Sequence, residues 1–301
     1  MTAPDAPATK QVLQVQGRSR TLTVVGRTGR QPRPIVLLLH GSHQTAAKLR
    51  AFTARAFDRL AADGAAVLAY LDGYKQHWND ARISNRFAAR TEGYDDVAFV
   101  RHAIDLLVGR HGGDPSRVYV VGFSNGGQMA IRLVHEIPEL LAGATVISAT
   151  QPAEENFAPT NPVHRPLPIM FIHGTKDPLV PYDGGMAGMW GFRPRGLGLS
   201  APQSAHYYAQ RNQISADPVT EQVGGADDVG AGRRRVTSVT ALHYRQPGLL
   251  PVSLYTVDCG GHTIPGTKKA PLLMGRTDLT FDTVAAVAAF HTLPAEVPHL
   301  A

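Results

Sequence analysis

The chain alternates two hydrophobic patterns. Short unbroken apolar runs, of the kind that form strands buried on both faces, are separated by longer stretches with apolar residues at helical spacing. Val12–Val15 and Thr21–Val25 instead alternate apolar with polar positions around Gly17-Arg18-Ser19, which predicts an edge hairpin. Pro34–Leu39 is the first continuous run. A helical pattern over Ala46–Ala62 follows, then an apolar strand at Ala65–Leu71. Residues 72–93 show no period and predict a long irregular segment, a length usually reserved for function or mobility. Tyr94–Val108 reads as a helix whose Asp95 and Asp96 suit its N-terminus. Val118–Val121, Ala142–Ser148 and Pro168–His173 read as strands, Gln128–His135 and Ala201–Asn212 as helices. Val236–Tyr244 and Val252–Asp258 read as adjacent strands, and Leu279–His291 as a closing helix. The sequence at 182–200 is glycine-rich and suggests a loop or flap. The stretch 215–232 is polar and suggests flexibility, so the whole 182–232 region is expected to be loop-rich around the one helix. Residues 1–10 read as a flexible tail and 11–301 as a single domain. Strands alternating with helices imply an α/β fold, with a mostly parallel central sheet and helices on both faces.

Candidate chemistry gathers where predicted strands end. The Val118–Val121 strand runs into Gly122-Phe123-Ser124-Asn125-Gly126, a G-x-S-x-G sequence followed by a helical pattern. A serine in such a turn has its hydroxyl exposed, and the flanking glycines let strand and helix approach closely. Ser124 is therefore the candidate nucleophile; the plainer alternative is a serine that caps the helix. A serine hydroxyl needs a base within hydrogen-bond reach, and the base needs an orienting partner. Of 13 histidines, His262 is favoured: it lies in Gly260-Gly261-His262-Thr263 after a late strand. His43, in the loop expected to face the serine, is its nearest rival. His40 and His173 also stand at strand ends. Asp177, in Gly174-Thr175-Lys176-Asp177-Pro178, is the candidate acid, with Asp183 and Asp258 as alternatives. Ser124, Asp177, His262 is the chain order of the α/β-hydrolase triad. The main-chain N–H groups of Ser42 and Asn125 are the candidate oxyanion donors. Trp78 and Trp190 lie in irregular segments, either lining a substrate pocket or packing inside.

Composition narrows the classes. Of 301 residues, 43% are apolar and 18% charged, enough for a substantial core. The net charge of +6 comes without a long basic run, so nucleic acid is not an expected partner. One cysteine, Cys259, excludes an intrachain disulfide. Residues 1–9 lack the basic start and apolar core of a secretory signal. No stretch approaches the ~18 apolar residues of a membrane span, so a membrane is not an expected partner either. A cytoplasmic location is expected for the sequence as it stands, or a secreted or periplasmic one if a signal has been trimmed. No metal-spaced cluster, phosphate loop or dinucleotide fingerprint is visible, and no cofactor is expected. Oligomeric state cannot be read.

A string of short motifs occurs in order: His40-Gly41-Ser42-His43-Gln44-Thr45, Trp78-Asn79, Asp95-Asp96-Val97, Asp114-Pro115-Ser116-Arg117-Val118-Tyr119, Gly122-Phe123-Ser124-Asn125-Gly126-Gly127 and Gly260-Gly261-His262-Thr263. Over residues 30–290 this resembles the polyhydroxybutyrate depolymerase-like esterases of the α/β-hydrolase fold, relatives of feruloyl and acetylxylan esterases. The resemblance implies cofactor-free hydrolysis of small-molecule or oligomeric carboxylic esters, with Ser124, Asp177 and His262 in the catalytic positions. It implies that the loop carrying Ile264, where the family often has tryptophan, lines the substrate site; His43, Trp78 and Trp190 are the other candidate lining residues, from their place in loops and irregular segments. Ser42 stands where secreted members often have cysteine. Two other readings keep the fold: a prolyl-oligopeptidase-like serine peptidase, and a catalytically inactive binding protein.

Overall fold

A computed structural model describes residues 7–26, 31–188, 194–225 and 237–294. Chain direction is set first by a hairpin, β1 (Ala8–Val15) and β2 (Arg18–Val25). Gln16 and Gly17 both have positive φ, 49° and 75°, as a two-residue turn between right-twisted strands requires. Then come β3 (Arg33–Leu39), α1 (Ala46–Phe52), β4 (Val67–Leu71), α2 (Ala88–Thr91), α3 (Asp96–His111), β5 (Gly113–Phe123), α4 (Asn125–Glu136), β6 (Gly143–Ile147) and β7 (Ile169–Gly174). A minimal hairpin, β8 (Gly185–Met186) and β9 (Leu197–Gly198), precedes α5 (Ala201–Arg211). The chain continues as β10 (Val219–Gly225), β11 (Ser238–Tyr244), β12 (Val252–Asp258) and α6 (Thr283–Phe290).

Among the described residues ten strands form one sheet in the order β1-β2-β4-β3-β5-β6-β7-β12-β11-β10. The six from β4 to β12 run parallel, and each end is an antiparallel pair. The inner registers, Leu39 opposite Gly122 and Phe123 opposite Ile147, bring the C-terminal ends of β3, β5 and β6 to one edge. In β3, Ile35, Leu37 and Leu39 enter one core with residues of α3, α4 and α5; Val36 and Leu38 enter the other with residues of α1 and α6. That alternation explains why the run is apolar at every position.

Four expectations are corrected. The helix expected over 46–62 stops at Phe52. Thr53 turns its hydroxyl onto the Leu49 carbonyl, Ala54 and Arg55 take positive φ, and a 3-10 segment covers Ala56–Gly64. The stretch expected as tail over 1–10 holds strand at Ala8–Lys10, which pair with Thr23–Val25; residues 1–6 lie outside the described residues. Part of the flexible 215–232 stretch is strand β10, paired with β11; residues 226–232 lie outside the described residues. The last helix starts at Thr283, where the Asp282 carboxylate accepts from the N–H groups of Val284 and Ala285.

Several imidazoles are enclosed in these layers. His40, His135 and His291 are at most 3% exposed. Burial lowers His40 to about 4 and lowers His135 and His291 to about 3. At these three alone the unfolded chain therefore binds up to three more protons than the folded chain between pH 6.5 and about 4. Stability should fall as pH drops through that window, by about 1.4 kcal/mol per pH unit for each fully titrating imidazole. Thermal melts at pH 7 and pH 5 measure it; an unchanged Tm would contradict neutral burial.

Candidate active site

The turn between β5 and α4 carries the backbone feature that sets the site. Ser124 has φ 56° and ψ −115°, a combination that side-chain-bearing residues avoid. Its N–H donates to the Ile147 carbonyl at 2.8 Å. Glycine is required on both sides. A Cβ on Gly122 would fall 2.1 Å from the Gly126 carbonyl oxygen, and one on Gly126 the same distance from that of Leu39. Ser124 is 7% exposed, and it forms no side-chain cap to α4; the helix-capping alternative is thereby removed.

Asp177 lies in the turn after β7 and His262 in the loop after β12, strands that are parallel neighbours. His262 Nδ1 and Asp177 Oδ2 are 2.7 Å apart, with both side chains buried. The other carboxylate oxygen accepts the N–H groups of Leu179 and Val180, each at 2.8 Å. Burial pushes the Asp177 carboxyl up, but the His262 charge and hydrogen bond, His173 and the Val180 N–H outweigh it, so the group stays ionised below the usual carboxylate range. His173 Nε2, 3.5 Å from the Asp177 Oδ2 that faces His262, is held low by burial and donates to the Val180 carbonyl. Asp183 is exposed, and Asp258 accepts the Thr175 hydroxyl instead. The His262 ring lies 5.1 Å from that of Phe123, the residue before Ser124. The Ser148 hydroxyl ties the end of β6 to the Thr263 carbonyl. Among the described residues no hydrogen bond joins the Ser124 hydroxyl to His262.

The turn after β3 faces the same serine: a Cβ on Gly41 would meet that of Ser124 at 3.4 Å. His40 accepts the Gly73 N–H at Nε2, which leaves Nδ1–H to donate to the Gly41 carbonyl at 2.8 Å. Holding that carbonyl also fixes the other end of the same peptide, the Ser42 N–H. Asn125 begins α4, so its N–H has no acceptor within the helix. Its side chain is clamped at both ends, accepting from the Trp78 N–H at 2.9 Å and donating to Asp80 Oδ2 at 2.5 Å.

Several sequence-picked residues have other places. Trp78 is fully buried, its indole N–H on the His40 carbonyl, so it supports the turn and does not line a pocket. Ile264 is 1% exposed and packs in a core cluster, which removes it as a lining residue. Trp190 lies outside the described residues. His43 is exposed, its ring edge-on to His77 at 4.6 Å.

Two residues escaped notice. Asp80 is fully buried and bridges Asn125 to Arg82, itself 5% exposed. The charged Asp80-x-Arg82 pair inside an irregular segment was the available signal. Gln128, one turn into α4, donates to the Thr150 carbonyl; with Arg82, Thr150, Pro152 and Val180 it lines a narrow cleft behind the Asp177 turn. Asp80→Ala should cost about 3–5 kcal/mol, because it leaves a guanidinium buried without its partner. Urea denaturation measures this; a wild-type midpoint would show that the pair is not integral to the fold.

No group of three or more His, Cys, Asp or Glu able to hold a metal ion occurs among the described residues, and no helix there is long and apolar enough to cross a membrane.

The chain is similar to several known proteins. The family described as Phospholipase/Carboxylesterase matches residues 75–188. A protein of Nocardia uniformis subsp. tsuyamanensis named "Putative esterase NocK" is 31% identical over 95% of this chain and 83% of its own length. "Feruloyl esterase B" of Piromyces equi is 26% identical over 79% of this chain, which spans only 41% of that protein. Among solved structures, an acetyl xylan esterase from Aspergillus awamori superposes with a TM-score of 0.56 at 15% identity, over 85% of this chain and 94% of the other; at that identity the likeness shows the fold.

Proposed function

This chain belongs to the esterases of the α/β-hydrolase fold, and from that premise we propose that it is a serine carboxylesterase working through an acyl-enzyme. Ser124 Oγ attacks the ester carbonyl while His262 Nε2 takes its proton. Asp177 keeps His262 in the tautomer with hydrogen on Nδ1 and stabilises the imidazolium as it forms. The carbonyl oxygen, now negative, sits against the N–H groups of Ser42 and Asn125. His40 and the Asn125 side chain hold those two peptides in place beforehand, so no reorganisation is needed when charge develops. His262 passes its proton to the leaving alcohol. Water, deprotonated by the same imidazole, then releases the acid and restores Ser124.

The observation that carries this reading is the 2.7 Å bond between buried His262 and Asp177 at the strand edge that also holds the strained Ser124. The hydroxyl-to-imidazole link still has to form. Such bonds are commonly long without substrate and tighten in the complex.

Relatives named for feruloyl and acetyl xylan esters suggest a first panel of p-nitrophenyl acetate, methyl ferulate and a soluble hydroxybutyrate oligomer, beside an aminoacyl amide. Ester turnover with stoichiometric fluorophosphonate labelling of Ser124 is the expected result. Faster amide than ester turnover would replace the reading with a peptidase, and absence of labelling would remove the acyl-enzyme.

A further inference from the structure

The loop that follows His262 rises into a tip with an unusual surface. Leu272–Met274 form a single 3-10 turn in which Leu272 is 92% exposed and Leu273 77%. Two adjacent leucines left in water are costly on a soluble surface unless something covers them. The tip is not a frayed end. Its base is bolted to the His262 loop: the His262 N–H donates to the Met274 carbonyl at 2.7 Å and the Gly261 N–H to the Arg276 carbonyl at 2.8 Å. Just beyond, the buried Asp278 carboxylate accepts the N–H groups of Thr280 and Phe281. The apolar pair is therefore presented on a fixed platform.

The charged side chains of the tip itself are all basic. Between Ile264 and Thr277 stand Lys268, Lys269 and Arg276, with no aspartate or glutamate; both lysines are exposed. Lys176, also exposed, has its main chain against Gly275, whose Cβ position is 3.7 Å from the Lys176 carbonyl oxygen. The carboxylate of Asp258, at the end of β12, engages Thr175 and Cys259.

We propose that this tip is a docking surface for an anionic phospholipid membrane, with Leu272 and Leu273 seated among the acyl chains and the flanking lysines on lipid phosphates. Apolar anchors ringed by cations are what such an interface selects. A second copy of the chain fits less well, since a symmetric contact would set the same cations face to face. An uncharged surface would cover the leucines but leave the lysines without counter-charge. Docking here sets the His262 loop directly at the membrane, because the anchored tip and that loop share two main-chain hydrogen bonds.

The test is co-sedimentation of the full chain with phosphatidylcholine vesicles, with and without phosphatidylglycerol, at low and high salt. Partitioning onto the anionic vesicles should exceed that onto neutral ones by about tenfold or more and collapse in high salt. Leu272→Ser with Leu273→Ser should lower it by about tenfold or more, while hydrolysis of soluble p-nitrophenyl acetate stays at the wild-type rate and reports an intact fold. Lys268→Gln and Lys269→Gln should each weaken the anionic preference about fivefold. Equal binding to neutral and anionic vesicles would overturn the proposal. So would anionic binding that survives the double serine change, or a concentration-dependent dimer abolished by that change in a chain that ignores vesicles.

Discussion

Ser124→Ala is expected to lower kcat by about 10⁶-fold with little change in KM, the loss seen when one member of a triad is removed and only binding and oxyanion contacts remain. The fold should survive it. Ser124 is confined by its neighbours, with its N–H on the Ile147 carbonyl and glycines where its flanks close on β3 and α4. Alanine keeps the Cβ and hence the strain of φ 56°, ψ −115°. Glycine does not. Ser124→Gly should be as inactive as alanine yet more stable than it by about 1 kcal/mol, the released strain less the added freedom of the unfolded chain. Initial rates on p-nitrophenyl acetate and thermal melts of both variants provide the check. Activity within tenfold of wild type in either would end the covalent mechanism. Equal stability would show that the backbone at 124 stores no strain.

The second large effect is Asp177→Asn, expected to slow the reaction about 10⁴-fold. The reason lies in which oxygen does what. Oδ1 accepts two N–H groups, from Leu179 and Val180. An asparagine amide must keep its oxygen there, because NH2 facing two donors is repelled. The NH2 is then forced toward His262 Nδ1, which has to become the acceptor. That puts the imidazole hydrogen on Nε2, the atom that should take the proton from Ser124. Binding and folding should change little, since size and both turn bonds are kept. A pre-steady-state burst that persists at the wild-type rate in this variant would show that Asp177 does not set the tautomer.

Much of this was visible in the chain. The unbroken run in β3, the β-branched run in β5 and the paired glycines at 122 and 126 each have one economical reading, because burial on both faces and close approach leave few residue choices. The Asp177 and His262 loops followed from strand ends. What stayed hidden depends on contacts across the fold. Nothing punctuates the sequence at 53–55, where no glycine or proline announces the break after α1; the break comes from Thr53 bonding back to Leu49. Strand β10 is polar because it is an exposed edge, so periodicity had no apolar face to find. Trp78 looked like a pocket wall because its segment is irregular. Its burial is imposed from elsewhere, by the Asn125 side chain on its N–H and the His40 carbonyl on its indole. The Asp80–Arg82 pair escaped for the same reason.

The order of the sheet has a consequence for how this protein would lose its shape. β3, β5, β7 and β12 bear the reactive loops, and each has at least two strands between it and open water at either flank. Fluctuations that peel away an outermost ribbon stop before they reach those four. Inactivation by heat should therefore coincide with the all-or-none collapse of the whole molecule, not precede it.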